Sequence, residues 1–148
     1  MSVMKAAGVV FMLLSAITFR SCGEAEGHTE VELWLDPLYA EGTLYMTPVI
    51  TYEGSDEAEF EFSQTIAMIT RVEDEDGIIF MKEDSDGEFL VNEVLYSGEE
   101  IEGDTLELDL LPGMYEVHIE AEYGLKSAGE TSFEEYEHKM KQKIDIRY

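Results

Sequence analysis

From about residue 30 onward, apolar and polar side chains alternate almost one for one, and this period of two restricts the fold more than any other feature. Val31, Leu33 and Leu35 alternate with Glu32 and Trp34, and Phe60 and Phe62 with Glu59 and Glu61. Further along, Leu106, Leu108 and Leu110 alternate with Glu107 and Asp109. Tyr115, Val117, Ile119 and Ala121 are set against Glu116, His118, Glu120 and Glu122, and Met140, Gln142, Ile144, Ile146 and Tyr148 fall on one side of the last run. Successive side chains of a strand point to opposite faces, so this pattern describes strands with one face buried and the other in water. "TLYMTPVITY", "TIAMITRV", "GIIFM" and "FLVNEVLY" are also strand-like, and Pro48 in the first of these suggests an edge or a bulge. Gly, Asp, Ser or Pro bounds each run. No long segment has a helical period, and no internal repeat is visible. Seven to nine short strands at this spacing predict an all-β fold over residues 30–148, an antiparallel β-sandwich of immunoglobulin-like type.

Residues 1–22 follow a different rule. Lys5 is followed by an apolar run from Ala6 to Phe19, then Arg20, with no acidic residue. A positive end, a greasy core and small or polar residues after it are the order of an export signal. The core is shorter than the ~20 residues a membrane-spanning helix needs. Cys22, the one cysteine, stands directly after this segment and has no partner for a disulfide. Two readings are open. In one, Cys22 becomes the lipidated first residue of a bacterial lipoprotein. In the other, an ordinary signal peptide is cut after Gly23 or Ala25 and Cys22 is discarded. Both put the mature protein outside the cytoplasm, membrane-anchored or secreted. Residues 23–29, "GEAEGHT", read as an acidic tether.

The chain carries 34 acidic and 9 basic residues, a formal charge of −25. Such a surface repels nucleic acid and anionic membranes, which excludes nucleic-acid partners and leaves a lipid anchor as the membrane link. The acids interleave with Leu, Val, Ile, Phe and Tyr rather than forming a solvated block, so the chain has the material for one core in one domain.

Two Asp-Gly steps, Asp76-Gly77 and Asp86-Gly87, lie among carboxylates. An EF-hand loop needs acidic ligands at its first, third and fifth positions before the glycine. Counted back from the two glycines, the first positions hold Val72 and Lys82. Asp-Gly between apolar runs is instead a hairpin signal, because a tight turn needs positive φ at its centre. A calcium site of another kind, built from Glu73, Asp74, Asp76, Asp84 and Asp86, is the alternative.

No constellation for catalysis stands out. His28, His118 and His138 border no nucleophile motif, and no glycine-rich phosphate loop is present. The chain is therefore expected to be no enzyme and to need no cofactor or metal. His118, between Glu116 and Glu120, is read as a solvent-facing histidine ahead of a metal ligand. Lys139, Lys141, Lys143 and Arg147 share one strand face, and pairing with the strand of Glu116, His118, Glu120 and Glu122 would set opposite charges across the ladder. Between these strands, Gly124–His138 reads as the longest loop and the place for partner binding. Lys126, Phe133 and Tyr136 are its candidate contacts, with the two aromatics either exposed or folded back on the core.

"SDEAEFEFSQ", "RVEDEDG", Phe89, "YSGEEIE" and "LLPGMYEVHIEAEY" occur in an order and spacing that resembles the BsuPI-type intracellular proteinase inhibitor domain, from Tyr45 to Tyr123 and on toward Tyr148. The resemblance implies an immunoglobulin-like β-sandwich and, as in some members, inhibition of a serine proteinase. The expected function is thus an exported, lipid-anchored module that binds a protein partner through a loop. The contrasting reading is a structural or calcium-responsive surface protein.

Overall fold

A computed structural model describes residues 16–22, as backbone, together with 27–83 and 90–147. These residues contain no helix and eleven strands: β1 Ala16–Cys22, β2 Val31–Ala40, β3 Thr43–Tyr52, β4 Ala58–Ser63, β5 Ala67–Asp74, β6 Gly77–Met81, β7 Leu90–Leu95, β8 Glu100–Glu102, β9 Leu106–Asp109, β10 Gly113–Ser127 and β11 Glu134–Arg147. Two of them exceed the expected seven to nine. β8 is a three-residue strand with only Ile101 buried, too short to show a period. β1 lies inside the segment whose apolar run reads as an export signal.

Every pairing is antiparallel. The first sheet runs β9–β3–β2, with β8 also on β3. β2 and β3 form a hairpin from Val31 opposite Tyr52 to Ala40 opposite Thr43. Its two turn residues, Glu41 and Gly42, have φ of 52° and 84°. Positive φ at both is the geometry whose twist matches that of the strands, and glycine adopts it without a Cβ penalty.

The second sheet has seven strands and curls into a half-barrel around β10. β11 pairs with one edge of β10 along almost its whole length. The other edge is shared: β5 takes Glu116–Ala121 and β4 takes Gly124–Ser127. β7 lies beyond β4, β6 beyond β5, and β1 on the outer edge of β11. The sheet therefore forks between β4 and β5, at a corner where Gln64 has φ of 54°. Extra residues at Thr70 in β5 and Ile79 in β6 shift the register and bend the β5–β6 ribbon.

The alternating apolar residues meet between the sheets. Leu44, Met46 and Ile50 of the first sheet are buried with Phe60, Val117, Ile119, Tyr123 and Ile144 of the second. Each such side chain contributes ~1.5–3 kcal/mol when taken out of water. The charge ladder forms as the alternation requires, with Glu116 opposite Lys143, His118 opposite Lys141 and Glu120 opposite Lys139.

Two expectations need correction. Gly124–His138 is not a long loop: β10 continues to Ser127 and β11 starts at Glu134, so only the short turn between them is irregular. The acids there do not break the strands, because Glu134, Glu135 and Glu137 are exposed while β10 beside them stays paired to β4 as well as to β11. The Asp76-Gly77 step is also placed differently. The turn residues of this hairpin are Glu75 and Asp76, and Gly77 is the first residue of β6, with φ of 132°. Asp74 Oδ1 accepts the N–H groups of Asp76 at 2.8 Å and Gly77 at 3.1 Å, so the aspartate side chain shapes the bend and glycine supplies the dihedral beyond it. Asp86-Gly87 lies outside the described residues.

Candidate functional site

The fork in the second sheet leaves a trough of about 780 Å³ on its outer, polar face. One wall is the end of β4 and the corner after it, Glu61 to Thr65; the other is Met68, Thr70 and Arg71 of β5 with Met81 and Lys82 at the end of β6. The polar row of β10, His118, Glu120 and Glu122, forms the floor, and Leu90 of β7 and Asp104 stand at the rim. The site exists because β10 is longer than either partner on that edge. Two strands must share it, and their diverging ends cannot close over the gap.

Charge is divided along the trough. At one end Arg71 Nε lies 2.7 Å from Glu73 Oε2, an ion-pair contact outside hydrogen-bond angles. His118 Nε2 is 3.1 Å from Glu116 Oε1 and 3.6 Å from Glu73 Oε2. Glu73, Glu116 and His118 are thus close enough to surround a cation. Arg71 Nη2, however, sits 3.4 Å from that same His118 nitrogen, so a guanidinium already supplies the positive charge. At the other end the ladder places Glu122 opposite Glu137, a like-charge pair that costs stability. The carboxylate oxygens of Glu120, Glu122 and Glu137 all lie within 4.8 Å of one another. Glu61, Glu83 and Glu135 add to the acidic lining.

The residues singled out for partner binding are all tied down within the fold. Lys126 Nζ contacts Glu59 Oε1 at 3.3 Å and stands 4.9 Å from the centroid of Phe133. A hydrogen bond from Asn92, then one from Lys126, holds the Glu59 carboxyl below its ordinary range. Tyr136 stacks on Tyr123 at 5.9 Å and meets the His28 ring edge-on at 5.0 Å. The structure therefore brings Lys126 and Phe133 together and sets Tyr136 apart, against the core. Cys22 closes β1, opposite Lys141 of β11. Among the calcium candidates, Glu73 faces Arg71 and Asp74 is engaged in its turn, while Asp84 and Asp86 lie outside the described residues.

The trough itself was not readable from the sequence. Its walls are far apart along the chain, and only the sharing of one β10 edge brings them together. The available signal was indirect: β4 and β5 are both strand-like and separated by a few residues, yet the turn between them, Gln64 to Ile66, lacks the residues of a tight hairpin.

Neither a protein-family model nor a curated protein matches the chain. No helix among the described residues is long and apolar enough to cross a membrane.

Proposed function

We propose that this protein is an extracytoplasmic binding module that receives a cationic, extended protein segment in the forked sheet's trough. The observation that carries this reading is the convergence of Glu61, Glu120, Glu122 and Glu135 on one concave surface, where Arg71 and Lys82 line the opposite wall and Lys139 stands beside Glu120 across the ladder. Carboxylates forced together repel each other, and an incoming lysine or arginine relieves that repulsion while gaining charge-assisted hydrogen bonds. Met81 and Leu90, both exposed, offer apolar contact at the rim.

The two sheets support assignment to the immunoglobulin-like class. Read as A, B and E, strands β2, β3 and β9 are neighbours in one sheet; read as G, F and C, strands β11, β10 and β4 are neighbours in the other. Tyr115, near the start of β10, donates its hydroxyl to the carbonyl of Leu111 at 2.5 Å, in the manner of a tyrosine corner. This is the fold that the BsuPI-type resemblance implies. Serine proteinase inhibition is a special case of the same binding reading, and anchoring through a lipidated Cys22 would hold the module at the cell surface.

The test is titration of the protein with a lysine-rich peptide and with an acidic peptide of equal length, followed by calorimetry. The lysine-rich peptide should bind, and Glu120→Gln with Glu122→Gln should weaken it at least about tenfold. Glu32→Gln with Glu107→Gln, which removes the same charge from the outer face of the first sheet, should change it little. Equal weakening by both pairs would reduce the effect to net charge and remove the trough from the account. A parallel titration against a subtilisin-like proteinase decides the inhibitor case.

A further inference from the structure

Two polar side chains, His138 and Gln142, are buried among the described residues, and His138 is the one that titrates near neutral pH. It plays no part in the trough. Its ring lies under the segment that precedes β2, so closely that a Cβ on Gly27 would fall 1.3 Å from His138 Nε2. The bonds around it form a consistent set. The Tyr123 hydroxyl lies 2.9 Å from His138 Nε2 and accepts the His28 N–H at 3.4 Å. In the tautomer of His138 that carries its proton on Nδ1, the hydroxyl donates to Nε2 while its oxygen accepts the His28 N–H. A second histidine nitrogen also accepts: His28 Nδ1 takes the Glu30 N–H at 3.1 Å. Tyr136 packs against both, edge-on to His28 and stacked on Tyr123.

We infer that His138, Tyr123 and His28 form a proton-sensitive latch that holds residues Gly27–Thr29 on the second sheet at neutral pH and lets them go on acidification. Both histidines serve as acceptors in the closed arrangement, and protonation turns each acceptor nitrogen into a donor. A protonated His138 would face a Tyr123 oxygen already approached by the His28 N–H, and the hydroxyl proton would lose its partner inside the core. Opening would also free the Glu30 N–H from His28 Nδ1.

The groups facing His138 give its charge no compensation. From β10 it meets Tyr123, whose own ionisation is pushed up by burial. From the segment before β2 it meets Gly27, with His28 next in the chain and Glu30 joined to His28 through its backbone. On β11 itself Tyr136 is the titratable neighbour, and Tyr136 turns its hydroxyl toward Glu134 Oε2 at 3.4 Å, with Glu130 beyond. No carboxylate contacts His138 in an ion pair among the described residues. Burial, and then the neighbouring His28, lower its basicity from the ordinary imidazole value. The sign follows. A base harder to protonate when closed than when open favours closure at pH above the ordinary histidine range, and that preference is lost as pH falls through it. Release would lengthen the connection between β2 and the residues before it.

The experiment is amide hydrogen exchange of the full chain by NMR at about pH 7.5 and about pH 5, each rate divided by its intrinsic value at that pH. Protection at the His28 and Glu30 amides should fall at least tenfold at the lower pH while Val117 and Ile119 keep theirs. In His138→Gln, which retains an acceptor but cannot titrate, that step should shrink. Unchanged protection at the two pH values, or an undiminished step in His138→Gln, overturns the latch. Should His138→Gln fail to fold, Tyr123→Phe serves instead. It keeps the ring and removes the hydroxyl, and the His28 amide should already be unprotected at pH 7.5; full protection there also overturns the proposal.

Discussion

Phe60 shows how much of this molecule depends on single buried rings. It is fully buried, meets Tyr52 edge-on at 5.6 Å and lies 5.5 Å from Tyr123. Phe60→Ala should lower unfolding free energy by ~3–5 kcal/mol, read from a urea titration, because the ring's transfer energy is lost and a cavity remains. Tyr115→Phe tests something narrower, the single hydroxyl given to Leu111; it should cost about 1 kcal/mol with the ring's packing intact. Both positions belong to the period-two pattern, so their burial was legible in the sequence. Their polar partners were not. That the Tyr115 hydroxyl finds a carbonyl four residues back, or the Tyr39 hydroxyl the carbonyl of Leu110 at 2.6 Å, depends on how the chain turns, which alternation does not encode.

At the scale of elements, the β10–β11 ladder makes opposite predictions two residues apart. Glu120 faces Lys139, so Glu120→Lys should destabilise the ribbon; Glu122 faces Glu137, so Glu122→Lys should stabilise it. Each change is expected to reach up to ~1 kcal/mol, seen as a shift in denaturation midpoint without a change in slope. A lysine gained at 122 should also weaken cationic peptide binding, the stability and binding effects moving in opposite directions. The outer edge of β11 carries another test. β1 pairs with Lys141–Arg147, whereas processing immediately before Cys22 would remove Ala16–Ser21 and with them that partner. A protein beginning at Cys22 should lose hydrogen-exchange protection at alternate amides of β11 from Gln142 onward, compared with the full chain. Equal protection in both would mean that β1 contributes nothing to that edge.

Across the whole molecule the dominant quantity is a formal charge of −25. Self-repulsion of that size weakens as salt shortens the screening length to ~10 Å at 0.1 M. Raising sodium chloride from about 20 mM to about 0.5 M should therefore raise the thermal midpoint while weakening capture of a cationic segment, two effects of opposite sign from one cause. What the sequence determined by itself was local: an all-β chain, the residues facing inward, and the acids of one strand and lysines of another each gathered on a single face. Side-chain alternation and turn chemistry act over a few residues, so a short window suffices to read them. What only the tertiary structure decided was non-local. Glu61, Glu120 and Glu135 border one trough, and Gly27 lies against His138, because β10 is long enough for β4 and β5 to share its edge and because the segment before β2 crosses the same sheet. Such meetings are set by strand length and register across the chain, and a periodicity that is the same in every strand carries no information about which strands become neighbours.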